Sequence, residues 1–358
     1  MDPVPGDCVR WFAGIGLADR ALVGGKGASL GELTRAGLRV PPGFVVTTAA
    51  FEAALAVIDP HGTIRAQIER LDPADLAAMT AAADAIRERF LGAVLPAMIT
   101  AAVSAAYQTL AAPASPVAVR SSATSEDSDD ASFAGLQDTH LCVQGTDAVL
   151  RSLRACWASL YGRESVSYRL RLRLPERQVA MGVVVQRMLA SRASGVMFTR
   201  SPVTGDRSVI AIEASFGLGS AIVSGEVTPD KYVVNKVTGD IVNRTLSAKA
   251  LRHVSAGDGD GGGGVRVEAL GDSEQRLPAL SDHEVRELAA LGKQVERHYG
   301  APQDIEWAIA PDAQGTECIH LLQSRPETVW SRRERPPVAL PAARAYDHVL
   351  AALYRPGR

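Results

Sequence analysis

Asp304-Ile305-Glu306-Trp307-Ala308-Ile309 and Leu321-Leu322-Gln323-Ser324-Arg325 are the two stretches on which the reading of this chain turns. Alternation along a strand sends Ile305, Trp307 and Ile309 to one face and Glu306 to the other, and it gives Gln323 and Arg325 a face in common. If the two strands are neighbours, a carboxylate, an amide oxygen and a guanidinium share one rigid surface. Two hard oxygens beside a cation suit Mg²⁺ bridging phosphates. A structural Glu–Arg ion pair on a sheet surface fits the same spacing.

Working back from this pair, Glu213 closes the apolar run Val209-Ile210-Ala211-Ile212 ahead of Gly217-Leu218-Gly219. It could touch a ribose, bind a metal or cap the following helix. Gln186 ends the run from Val183 to Val185, within reach of an adenine edge or simply solvated. Arg120 closes the strand Val117-Ala118-Val119 and precedes Ser121, Ser122, Thr124 and Ser125, so a guanidinium and several hydroxyls could converge on a polyphosphate. The plainer alternative pairs Arg120 with Glu126 or Asp127. Phe133-Ala134-Gly135-Leu136-Gln137-Asp138-Thr139 offers a glycine for close approach and a hydroxyl, as a lid over phosphates would. Finally, Gly24-Gly25-Lys26-Gly27 stands where a loop enters a helix; bare amides, the helix dipole and a lysine favour an anion there. It is not a P-loop, because Arg20 replaces the first glycine and Gly27 follows the lysine. A glycine turn with a surface lysine is its bland reading.

The rest of the chain bounds the class. Its 358 residues carry 38 Lys+Arg against 40 Asp+Glu, a formal charge of −2, which disfavours bulk capture of nucleic acid or an anionic membrane. With 46% hydrophobic residues and roughly 150 residues per domain, about two domains or one lobed domain are expected. No apolar run approaches the ~20 residues of a membrane helix and the N-terminus lacks a signal-peptide pattern, so the expected location is the cytoplasm. Cys8, Cys142, Cys156 and Cys318 lie far apart and are expected as buried thiols. Periodicity predicts helices from Ala28 to Gly37, after Thr48 as N-cap, and near 73–91, 94–111, 147–161, 163–173 and 282–299. It predicts strands near 117–120, 140–143, 183–186, 195–198, 209–213, 231–234, 304–309 and 318–324, a flexible glycine loop at 257–264, and a tail ending in a short helix. The fold class is therefore mixed α/β (α+β).

In order along the chain, Val23 to Leu38 with Val40-Pro41-Pro42-Gly43-Phe44, Val119-Arg120-Ser121-Ser122-Ala123-Thr124-Ser125-Glu126-Asp127, Ala131-Ser132-Phe133-Ala134-Gly135, Ser194-Gly195-Val196-Met197-Phe198-Thr199, Glu213 to Gly219, Val227-Thr228-Pro229-Asp230, Asp304-Ile305-Glu306-Trp307 and Gln323-Ser324-Arg325-Pro326 resemble one known unit. It is the N-terminal ATP-binding domain of the phosphoenolpyruvate synthase and pyruvate phosphate dikinase family, shared with rifampicin phosphotransferase and similar to a subunit of phenylphosphate synthase. The resemblance covers roughly residues 15–328. It implies an ATP-grasp fold whose two lobes clamp Mg-ATP, here residues 1–187 and 188–329, with a tail over 330–358. It further implies that Lys26, Arg120 and Arg325 hold the phosphates as the catalytic cations, that Gly135 and Thr139 belong to the lid, that Gln186 lies by the adenine, and that Glu306 with Gln323 binds Mg²⁺ and ATP. Glu213 joins the nucleotide-binding residues with its role open.

Two departures stand out. Family enzymes carry a swivelling domain whose histidine, in a Thr-x-Gly-Gly-type loop, takes the β-phosphoryl group and leaves AMP and phosphate. Only 33 residues follow Arg325 here, and none of the seven histidines has that glycine context. The expectation is therefore an ATP-binding subunit that phosphorylates a histidine on a separate swivelling-domain protein, with an acceptor-binding domain also in trans. The default acceptor is pyruvate, with phenol and rifampicin as variants, and the rival from another class is an ATP-sensing module that transfers nothing. The smaller departure is Leu136, where many relatives carry Gln.

Overall fold

The computed structural model describes residues 7–110, 115–124, 127–128, 131–132, 138–256, 264–312 and 314–331. The strands are β1 Val9–Trp11, β2 Gly43–Val46, β3 Val117–Ala123, β4 Asp127–Ser128, β5 Ala131–Ser132, β6 Thr139–Val143, β7 Met181–Arg187, β8 Ala193–Phe198, β9 Val209–Phe216, β10 Asp230–Asn235, β11 Ile241–Thr245, β12 Leu251–Ser255, β13 Val265–Ala269, β14 Gln303–Pro311 and β15 Glu317–Pro326. The helices are α1 Arg20–Arg35, α2 Thr48–Ile58, α3 Thr63–Glu69, α4 Leu76–Gly92, α5 Ala97–Leu110, α6 Thr146–Ser159, α7 Arg163–Leu172, α8 Ser220–Val223, α9 Asp272–Gln275 and α10 Asp282–Tyr299. The mixed class is as expected, and the strands of the two large sheets pair antiparallel.

One sheet has five strands in the order β1-β2-β7-β3-β6, and the other has six in the order β11-β10-β9-β8-β14-β15. Period-2 alternation explains how each sheet finds two layers. On β7, Val183 and Val185 face a large core with Phe51, Phe90 and Trp157 from the helices, while Val184 faces α1 beside Val23, Ala28 and Leu30. In the second sheet Ile305, Trp307 and Ile309 pack on the face covered by α10, with Leu288 and Val295. That helix spans 282–299 as the periodicity predicted, because Ser281 and Glu284 form a capping box and Gly300 takes φ 67 to end it. α1 touches both sheets: Val23 and Leu30 pack on the first and Leu33 on the second. No single helix among the described residues is long and apolar enough to cross a membrane.

Several local expectations change. The helix near the glycines begins at Arg20, not Ala28, and the glycines lie inside it around a break at Gly24. Thr47, not Thr48, is the N-cap of α2, accepting from the Ala50 amide, while Thr48 donates to the carbonyl of Ala21. β3 runs on through Ser121 and Ser122, and β9 continues past Glu213 to Phe216. β1, α3, β11 and the β12–β13 hairpin were not foreseen. The glycine loop over 257–263 and the tail from 332 lie outside the described residues. All four cysteines are buried and free, as expected.

Candidate active site

The two stretches quoted at the outset are neighbours. β14 and β15 pair with Glu306 opposite Gln323 and Asp304 opposite Arg325. A register shift between Glu306 and Trp307 then brings Trp307 opposite Leu321, so both strands keep their apolar residues on the core face. The row continues across the sheet: Val196 of β8 lies beside Glu306, Glu213 beside Val196, and Lys231 of β10 beside Glu213. At strand spacing, Glu213 stands two strands, about 10 Å, from Glu306 on the same face.

The opposite wall comes from the first sheet. Arg120 reaches across, its Nη2 lying 2.8 Å from Glu306 Oε2 and 2.8 Å from Gln323 Oε1, with Nη1 3.3 Å from the carbonyl of Leu322. Arg120 therefore pairs with a carboxylate 186 residues away; Glu126 and the Asp127 side chain lie outside the described residues. Its Nε is buried with no hydrogen-bond partner among the described residues. Thr139 of β6 stands opposite Arg120 in the register. Burial pushes the Glu306 carboxyl up, but the charge and hydrogen bond of Arg120, with Lys26 and Arg325 behind it, outweigh this and hold it below the usual carboxylate range. Arg325 itself leans on Asp304, Nε to Oδ2 at 3.4 Å. Three cations thus surround one carboxylate and one amide oxygen where the sheets meet.

Not every sequence-derived residue joins this cluster. Gln186 is buried at 3% exposure, not solvated, on the α1 side of β7, and its Nε2 donates to the carbonyl of Pro41. Glu213 sits mid-strand and pairs with Lys231 at 3.1 Å; it caps no helix, since α8 begins after Gly219. The hydroxyls of Ser121, Ser122 and Thr124 are committed to the carbonyls of Asp138, Val23 and Ala180, so they do not converge on a ligand. Gly135 and Ser125 lie outside the described residues. Sequence reasoning also missed Asp304, which braces Arg325; its place two residues before Glu306 on the same face was the available signal. Asp230, in the Thr228-Pro229-Asp230 block, is fully buried and holds Lys249 at 2.7 Å and the amides of Ser247 and Ala279, a structural knot.

The donor set fits Mg²⁺. Glu306 Oε2 and Gln323 Oε1 converge on one point, now occupied by an Arg120 nitrogen, and Mg²⁺ characteristically takes one or two protein oxygens and completes its shell with phosphate and water. No group of three or more His, Cys, Asp or Glu side chains able to hold a metal occurs among the described residues, so nothing here competes as a transition-metal cage. The arrangement can neutralise a polyanion and orient it against a rigid sheet.

Comparison with known proteins places the chain in a family. The profile described as the pyruvate phosphate dikinase AMP/ATP-binding domain matches residues 20–344. A rifampicin phosphotransferase from Streptomyces sp is 46% identical over 317 residues, covering 88% of this chain and 35% of the relative. A phosphoenolpyruvate synthase from Aeropyrum pernix is 39% identical over 358 residues, covering 93% and 44%, and a probable phosphoenolpyruvate synthase from Staphylothermus marinus is 38% identical over 352 residues, covering 91% and 42%. The chain thus spans less than half the length of these relatives.

Proposed function

The chain belongs to the family of pyruvate phosphate dikinase AMP/ATP-binding domains, and on that premise we propose that it is the Mg-ATP-binding part of a phosphoenolpyruvate synthase-type phosphotransferase. In this reading the β-phosphoryl group of ATP passes to a histidine of a swivelling domain, leaving AMP and phosphate. The single observation that carries it is Arg120 bridging the two sheets to Glu306 and Gln323, with Lys26 and Arg325 close enough to lower the same carboxyl. A module that only senses ATP has no need of three cations around one oxygen pair.

Lys26, Arg120 and Arg325 hold the triphosphate and neutralise charge that develops on the transferred group. Mg²⁺, when bound, supplies Lewis-acid polarisation of the phosphoryl oxygens, and Glu306 with Gln323 would hold it. Arg120 releases Glu306 as the phosphates arrive and turns to them. Glu213, about two strands away along the same row, lies at a nucleoside's distance from the phosphates, and Gln186 together with the Pro41 carbonyl borders the base. No general base in this chain is required, because the acceptor imidazole is itself the nucleophile. His140 does not serve as that imidazole: it pairs with Val119 in the register, on the core side of the first sheet away from Arg120.

The deciding experiment incubates the chain with Mg²⁺ and ATP labelled at the β-phosphate, with and without a family swivelling domain. Label on that domain's histidine with AMP as nucleotide product is expected, and pyruvate, phenol or rifampicin added with the acceptor domain then identifies the final acceptor. Tight Mg-ATP binding with no label on any carrier would overturn the transfer reading in favour of ATP sensing.

A further inference from the structure

We propose that Ser122 is the positioning residue for Lys26, acting as a helix cap delivered from a neighbouring strand. In an unbroken α1 the amide of Gly27 would donate to the carbonyl of Val23, four residues back. Gly24, at φ 72 and ψ 176, opens that bond. The Ser122 hydroxyl stands in the gap, accepting from Gly27 N at 3.0 Å and donating to the Val23 carbonyl at 2.8 Å. It is spliced into the helical ladder, one of the few physical causes of a sharp helix break.

The splice is tight and dry. Ser122 is 0% exposed, and Val23, Gly24 and Gly27 are buried around it. A Cβ on Gly24 would lie 1.8 Å from the Ser122 carbonyl oxygen, so only glycine permits the approach as well as the positive φ. Counted from the break, Gly24 takes the cap position, Gly25 and Lys26 are the first two helical residues, and Gly27 is the third. A serine N-cap satisfies that same third amide, but here the hydroxyl comes from 95 residues away. Lys26 therefore rides in the first turn of the restarted helix, where its charge is felt at Glu306. Arg120 lies two residues before Ser122 on the same face of β3. One strand thereby aims both cations, Arg120 directly and Lys26 through Ser122.

Removing the hydroxyl leaves Gly27 N–H and the Val23 carbonyl free to close their ordinary helical bond. The turn would rewind and swing Lys26 away from the oxygens of β14 and β15. The inference rests on the proposed Mg-ATP role, so the test separates the two. Mg-ATP affinity is measured by titration calorimetry on the full chain and on Ser122→Ala, Lys26→Ala and the double variant, each checked by its melting profile. Ser122→Ala is expected to weaken Mg-ATP by about tenfold, the equivalent of one lost cap, and by less than about twofold once Lys26 is already Ala. Gly24→Ala, which disturbs the same seat from the helix side, should show the same dependence on Lys26. Ser122→Thr, which retains the hydroxyl, should stay within about threefold of the parent. A Ser122→Ala penalty that is equal with and without Lys26, or absent, overturns the positioning role. A parent chain that binds no Mg-ATP overturns the proposed function instead; the backbone amide resonances of Gly25 to Gly27 then decide, and resonances unmoved by Ser122→Ala overturn this inference too.

Discussion

Glu306→Gln is expected to move nucleotide affinity in opposite directions depending on whether Mg²⁺ is present. In the structure Arg120 Nη2 lies 2.8 Å from both Glu306 Oε2 and Gln323 Oε1, so the guanidinium sits where a bridging cation would have to sit. Two unit charges about 4 Å apart attract by about 4 kcal/mol at an effective dielectric of about 20. The Glu306 side chain is 36% exposed against 12% for Arg120, so solvent screening takes much of this. The bonds to Gln323 and the Leu322 carbonyl would survive the substitution. What ties Arg120 to the carboxylate charge is then about 1–2 kcal/mol. Removing the charge frees Arg120 for the phosphates and also removes a repulsion between carboxylate and triphosphate. Calorimetric titration in EDTA should therefore show metal-free ATP binding roughly 5- to 30-fold more tightly to the variant than to the parent. With Mg²⁺ and a competent carrier, turnover should instead fall by about 10²-fold or more, since a metal ligand has been lost. If metal-free ATP binds the variant no more tightly than the parent, Arg120 is not held back by Glu306 and the site argument fails.

Other outcomes follow from the same geometry. Because Glu306 is held below its ordinary value, its contribution to stability is present above about pH 4.3 and is lost as the pH falls through the lower folded value; urea unfolding of parent and Glu306→Gln should therefore differ at pH 6, and the difference should shrink as the pH is lowered below the ordinary carboxylate value. Gly195→Ala would place a Cβ 1.8 Å from the Glu213 carbonyl oxygen and 2.8 Å from the Trp307 ring, prying β8 from β9. It should cost about 1–3 kcal/mol in chemical denaturation. Glu176→Ala leaves Arg169, 1% exposed and bonded to it at 2.9 Å, as an uncompensated buried charge. It should lower stability by about 3–5 kcal/mol while leaving Mg-ATP affinity of the folded protein unchanged, since the pair lies in the helical region and not between the sheets.

Legibility in the sequence was uneven, and particular residues show why. α10 could be bounded to the residue because its signals, Ser281, Glu284 and Gly300, all lie within one turn of its ends. That Glu306 and Gln323 could share a surface was legible because strand alternation is local, but the pairing of the two strands, their register and the shift after Glu306 were not. The Glu306 partner of Arg120 was not readable, because β3 and β14 are far apart in sequence and face each other only across the two sheets. The hydroxyls after Arg120 were misjudged for the same reason, since the carbonyls that Ser122 and Thr124 satisfy belong to α1 and to the segment before β7. In the β12–β13 hairpin, Leu251-Arg252-His253-Val254-Ser255 has no period-2 alternation, and Val265-Arg266-Val267-Glu268-Ala269 does alternate but is only five residues long, with its valines exposed, directly after the glycine run.

Residue chemistry and order along the chain were enough to point to the class of ligand and to nominate the cations and oxygen donors proposed for it, because each motif carries its functional group within a few residues and local periodicity aims it at one face. How those groups meet was settled only by the packing of two sheets on a shared helix. At the break at Gly24 the Ser122 hydroxyl enters the ladder, and the cluster exists because Arg120 crosses to Glu306 and Gln323. These contacts join residues about 100 to 200 positions apart in the chain, and short-range forces between such residues act only once the fold has brought them together.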